Sequence, residues 1–231
     1  MKQKEELTTR ERFVEWLTAF MARHRRWLVL GAITAVVAIV AIAVIFEVRD
    51  RRLEESLTLV ERAQDRYEEW VAAEGNDRES IEAEIMSTLD EAISDYSRLY
   101  SAQRALFIRG RMHLEEERWD EAADDFRTLS ERFPNSHLAL IALSNKAVAW
   151  EQSGNLDRAL ETYIDLSGER EARNPLRARA LFSAGRLQEQ LGEEDAAREH
   201  YNTLVSEYSE SEWTKLARNR ILVLETGIGR N

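Results

Sequence analysis

Along residues 118–126, RWDEAADDF, two alanines and a phenylalanine interrupt a charged stretch, and the interruption recurs. Ala122, Ala159 and Ala197 are each followed four residues later by an aromatic, Phe126, Tyr163 or Tyr201, and three residues after that by Leu129, Leu166 or Leu204. Twelve residues before each alanine stands another small residue, Gly110, Ala147 or Gly185, with Leu106, Leu143 or Leu181 four before that. Spacings of three and four place these residues on one face of a helix, and steps of 37 and 38 between copies predict stacked helix pairs. Small residues are expected where two helices cross at about 8 Å, small against small, with the aromatic filling the wedge between successive repeats.

A different pattern occupies residues 27–46, WLVLGAITAVVAIVAIAVIF, which contain no charge. At 1.5 Å per residue, twenty helical residues reach roughly 30 Å, the thickness of a bilayer's hydrocarbon core. Twelve of them are Ile, Val, Leu or Phe, and insertion of twelve such side chains gains on the order of 4 to 7 kcal/mol. A cleaved signal peptide would use the small pair Ala41 and Ala43. Against cleavage stand the 26 residues before the apolar run and the apolar Val44, Ile45 and Phe46 after that pair. A retained transmembrane anchor is therefore expected. Arg23, Arg25 and Arg26, backed by Lys2, Lys4, Arg10 and Arg12, outweigh Arg49, Arg51 and Arg52 on the far side, which places the N-terminus in the cytoplasm and the remainder outside an inner membrane, in a periplasm.

On the cytoplasmic side, residues 1–26 form a leader. Thr8 and Glu11 have capping-box spacing, and Phe13, Leu17, Phe20 and Met21 share a helical face beside Trp16. That helix either steadies the anchor at the membrane interface or docks a partner. Beyond the anchor, residues 47–102 predict a helical hairpin with a degenerate repeat. Leu53, Leu57, Val60, Gln64, Tyr67 and Val71 trace a heptad seam. EGND at 74–77 breaks the helix, Asn76 caps the next with Glu79, and Ile81, Ile85, Leu89, Ala92 and Tyr96 form the facing stripe. The same seam, over 53–71, offers a route to a homodimer.

Charge narrows the function. Residues 1–26 hold seven Lys/Arg against four Glu, whereas residues 47–231 hold 25 basic and 39 acidic side chains. A domain so acidic lacks the footprint for nucleic acid. The chain has no cysteine, which removes disulfides, thiol nucleophiles and thiolate metal sites. Among the four histidines, His24, His113, His137 and His200, none has a second histidine at ligand spacing. His113 beside Glu115, Glu116 and Glu117 is the best metal candidate and is better explained as a packed histidine next to a solvated acidic face. Phosphate loops and nucleophile elbows are missing. Neither an enzyme nor a bound cofactor or metal is expected.

Residues 103–136, QRALFIRGRMHLEEERWDEAADDFRTLSERFPNS, resemble the tetratricopeptide repeat, including Pro134 near the end. Looser copies extend the resemblance to residue 208. His113, Trp150 and Gln188 depart from its usual aromatic, Arg109 and Lys146 from a leucine, and Glu171 and Ser209 from the proline, while Asn174 and Pro175 form an N-cap and first-turn pair. The fold expected is all-α: one transmembrane helix (27–46), the hairpin (47–102), an α-solenoid of three helix pairs (103–208) and a capping helix with its tail (209–231).

Layout and repeat together are similar to the ancillary subunits of the SecYEG translocon. That resemblance implies chaperone-like handling of protein or peptide partners beside the translocon. A second similarity, around SERFPNSHLALIAL, is to repeat proteins of cell division and outer-membrane β-barrel assembly. The repeat resemblance also implies that the groove is lined by Arg104, Phe107 and Arg111, then Ile141, Ser144 and Val148, then Arg179, Phe182 and Arg186. Two Arg, Phe, Arg triplets in an acidic body would suit a segment bearing carboxylates and apolar side chains. Glu115 and Glu189 are the nearby acids that would instead hold these arginines. The alternative function is a structural envelope protein that self-associates.

The anchor has a direct test. The mature chain is expected to keep its N-terminus and to stay with membranes through carbonate extraction; N-terminal sequencing that starts near Val44 would show a cleaved signal instead.

Overall fold

The computed structural model describes residues 9–168 and 174–227. Lys2, Lys4, Thr8 and Glu171 lie outside the described residues. The described chain is helical, with α1 (Thr9–Ala72), α2 (Gly75–Asp95), α3 (Tyr100–Glu115), α4 (Trp119–Arg132), α5 (Ala139–Gln152), α6 (Leu156–Ser167), α7 (Arg177–Gln190), α8 (Glu194–Glu207) and α9 (Glu212–Thr226). Two compact units divide it, Met1–Glu54 and Glu55–Asn231.

In the first unit, the apolar residues of 27–46 are all exposed, with none buried by protein. A helix of this length and composition is able to cross a membrane.

The second unit is a run of helix pairs, α3 with α4, α5 with α6 and α7 with α8, closed by α9. Three apolar clusters follow one another along it. Val60, Trp70, Ile85, Leu89 and Met112 make the first. Leu106, Phe126, Leu129, Trp150, Tyr163 and Leu187 make the middle one, and Leu181, Tyr201, Leu204 and Ala217 the last. Two first helices serve two clusters at once: Ala105, Ile108 and Met112 of α3 belong to the first cluster and Leu106 to the middle one, while Ala180, Ala184 and Leu187 of α7 belong to the middle cluster and Ala178 and Leu181 to the last. Each repeat is thereby tied to its neighbours, as in a quasi-one-dimensional array.

In the first and third pairs, the glycine of the first helix lies under the aromatic ring of the second. A Cβ at Gly110 would stand 2.9 Å from the Phe126 ring, and one at Gly185 would stand 2.7 Å from that of Tyr201. The ring comes this close because only a missing side chain lets a planar ring close on a backbone. Ala122, Ala159 and Ala197 are fully buried as well.

The turns inside the pairs repeat too. Glu117, Gly154 and Gly192 all have left-handed φ, at 56, 80 and 83°. After each comes the same bond, from Arg118 N–H to His113 O, Asn155 N–H to Trp150 O and Glu193 N–H to Gln188 O, each 2.8 Å. This is a Schellman closure, and glycine favours it at two of the three sites.

Two helix starts differ from the sequence expectation. Asn76 lies inside α2, whose N-cap is Glu74 with no side-chain bond. Asn174 does not cap α7, which begins at Arg177. Its Oδ1 accepts from the Leu176 N–H and its Nδ2 donates to the Leu166 carbonyl, both at 2.8 Å, so the buried amide stitches the end of α6 to the turn before α7.

The stripe on α1 is also rotated. Val60 and Tyr67 are buried as expected, but their companions are Ser56, Ala63 and Trp70, while Leu53 and Val71 are exposed. The face turns because it meets both α2 and α3, and burying the Trp70 ring removes far more apolar area than burying Val71.

Substitution of Gly185 by Ala is expected to cost about 1 to 3 kcal/mol, since fully buried Tyr201 has no room to withdraw from the new methyl. Urea unfolding would show a lower midpoint at unchanged slope.

Candidate functional site

The nine groove residues lie on α3, α5 and α7, the first helices of three consecutive pairs. Phe107 and Phe182 are half-buried. Phe107 meets Phe126 edge-on at 5.9 Å, and Phe182 sits between Tyr201 at 5.8 Å and Trp213 at 5.5 Å. Each presents the rim of an aromatic pile rather than a free ring. On α5, Ile141 is 41% exposed and Val148 half-buried, whereas Ser144 is buried and offers nothing to a ligand. Serine was placed in the groove from its position in the repeat; a side chain this short does not clear its larger neighbours.

The arginines divide into two kinds. The Arg111 guanidinium donates to the Tyr67 hydroxyl at 2.9 Å, lies 5.1 Å over that ring and stands 3.7 Å from Glu115. Burial pushes the Tyr67 phenol up to about 12, with its hydrogen bond to Glu115 adding to the shift. Arg186 donates to Glu151 of α5 at 2.6 Å, bridging the second and third pairs. Glu115 is thus a partner as anticipated, but Glu189 is not: it takes Arg220 of α9. Arg104 and Arg179 make no ion pair among the described residues. The field of Arg179 does reach Tyr163, whose phenol is raised by burial and then by Glu151, with Arg179 and Arg186 opposing.

Tyr67, Glu151 and Trp213 complete this face, and position in the repeat did not reveal them. Tyr67 and Trp213 come from helices flanking the three pairs. The heptad spacing around Tyr67 was the one available signal.

A second polar assembly lies across the first pair. Arg109 Nε donates to both oxygens of Asp125, at 3.0 and 3.2 Å, and its Nη1 reaches Asp90 of α2. His113 Nδ1 is 3.2 Å from Asp125 Oδ2. Arginine in place of the repeat's usual leucine therefore links α2, α3 and α4. His113 is packed against this carboxylate and away from its acidic neighbours, of which Glu115 bonds Tyr67 and Glu116 bonds Arg78. Among the described residues, no three His, Asp or Glu side chains converge as a metal-binding set.

A family model described as tetratricopeptide repeat matches residues 87–137 and 152–212. A TPR repeat-containing protein of Treponema pallidum (strain Nichols) is 30% identical over 115 residues, covering 48% of this chain and 46% of that relative. The match thus spans just under half of the relative's length. Among solved structures, the N-terminal domain of stress-induced protein-1 (STI-1) from C. elegans is similar with a TM-score of 0.46 and 19% identity, over 54% of this chain and 95% of that one. The helix pairs within residues 87–137 and 152–212 are thus similar to tetratricopeptide repeats.

Asp125→Ala is expected to cost about 2 kcal/mol, because it leaves the largely buried Arg109 with Asp90 alone. Thermal unfolding of Asp125→Ala beside Asp124→Ala, whose carboxylate is exposed, would show the difference.

Proposed function

We propose that this tetratricopeptide-repeat chain is a membrane-anchored scaffold that binds protein or peptide partners, without catalysis of its own. Repeats of this kind are interaction scaffolds. The observation that carries the groove is the row of Arg104, Phe107, Ile141, Arg179 and Phe182 on consecutive first helices, in a region where residues 47–231 are about fourteen charges negative. Two arginines without ion partners among the described residues, beside aromatic rims and an exposed isoleucine, suit a segment bearing carboxylates and apolar side chains. Arg111 and Arg186 frame the face and act through Tyr67 and Glu151, not as open binding groups.

The anchor is residues 27–46, with the N-terminus in the cytoplasm and the repeats in the periplasm, read from the arginine bias. In that setting the repeats would hold emerging envelope proteins beside the translocon. Assembly work in cell division or at the outer membrane uses the same surface and differs only in the partner. Self-association through 53–71 has less support, since Val60 and Tyr67 are covered by α2 and α3 of the same chain.

A photo-crosslinker at Ile141 is expected to capture a partner in membranes. The double variant Arg104→Glu, Arg179→Glu should lose that adduct with its melting temperature within a few degrees of the parent, because neither side chain is in the core. An adduct of undiminished yield would move binding away from this face.

A further inference from the structure

The leader presents a surface that the repeats do not explain. Phe13, Trp16 and Phe20 are 60, 59 and 41% exposed and stack in a row, with centroids 6.1 and 5.6 Å apart, and Phe20 leads to the His24 ring at 4.8 Å. Leu17 and Met21 are exposed beside them. At 3.6 residues per turn these five apolar side chains span an arc of roughly 140°. Arg12 and Arg23 fall at one edge of that arc and Arg25 at the other, Arg10 falls within it one turn before Phe13, and Glu15, Ala22 and Arg26 fall opposite.

We infer that residues 9–26 are a docking surface for an anionic lipid leaflet, the aromatic row entering the headgroup boundary and the edge arginines meeting lipid phosphates. The inference rests on the anchor at 27–46. Two features favour lipid over a second copy. An arc this wide exceeds the narrow seam of a helix pair and suits a plane. The described leader also carries Arg10, Arg12, Arg23, Arg25 and Arg26 against Glu11 and Glu15, so a parallel copy would set like charges side by side, whereas anionic headgroups neutralise them. Tryptophan is suited to this depth, where an apolar ring body meets water at its N–H. Because α1 is unbroken from Thr9, contact with the leaflet requires its axis to turn at residues 24–27, next to the apolar segment.

The chain's lack of cysteine allows single probes on the full-length protein. Leu17→Cys lies in the arc, Ala22→Cys opposite it and Ala38→Cys in the anchor, each labelled and reconstituted in vesicles containing phosphatidylglycerol or in vesicles of phosphatidylcholine alone. A water-borne quencher should reach the Leu17 probe several-fold less than the Ala22 probe with phosphatidylglycerol only, and Arg12→Gln, Arg23→Gln, Arg25→Gln should erase the contrast. Equal quenching of both leader probes, or a contrast that survives the three substitutions, overturns the proposal. Shielding of Leu17 in phosphatidylcholine that rises with protein density also overturns it, in favour of a second copy. Quenching of the Ala38 probe would instead remove the anchor, and this inference with it; shielding of Ala38 in both vesicles keeps the two failures apart.

Discussion

In the first and third pairs a helix backbone lies directly against an aromatic ring. Where Gly110 meets Phe126 and Gly185 meets Tyr201, no atom separates the first helix from the ring of the second. Much else depends on this closeness. It sets the separation within a pair, which sets how far the next first helix is rotated, and so where the groove residues of α3, α5 and α7 stand. The same rings also meet two residues of the first-helix face, since Phe107 and Phe182 rest on Phe126 and Tyr201.

Electrostatics then joins what packing has placed. Arg109 holds α2, α3 and α4 through Asp90 and Asp125, Arg186 and Glu151 cross from the third pair to the second, and Arg220 with Glu189 attaches α9. These bonds run between neighbours, so an acidic unit keeps its like charges dispersed over outer faces while its arginines are spent at joints. Arginine suits this work because its planar fork reaches two acceptors at once, as at Asp125. Arg111 and Arg186 are taken up at such joints, and this sets them apart from Arg104 and Arg179, which make no ion pair among the described residues.

The first unit is built on a different pattern. Water disfavours the exposed apolar side chains of residues 27–46, and lipid favours them by several kcal/mol in total. Within α1 an exposed aromatic row is followed by an uncharged exposed run and then by a face buried against protein.

Features written into neighbouring residues were legible in the sequence. The 37- and 38-residue steps, the alanine, aromatic and leucine order, the length of the uncharged run and the amphipathic leader all follow from helical periodicity, which needs only a local count. The small residues at 110, 147 and 185 were visible too, although what they make room for was not. Tertiary structure alone decided which acid each arginine takes, since Glu189 lies one turn from Arg186 along the helix while Glu151 lies 35 residues away, and only the packing between pairs assigns Glu151 to Arg186 and Glu189 to Arg220. It decided that Ser144 is buried, and that the α1 stripe runs through Trp70 rather than Val71. Spacing along a helix defines a face to within a residue, but the neighbour's position determines which part of that face is covered, and that position depends on the packing of every pair in between.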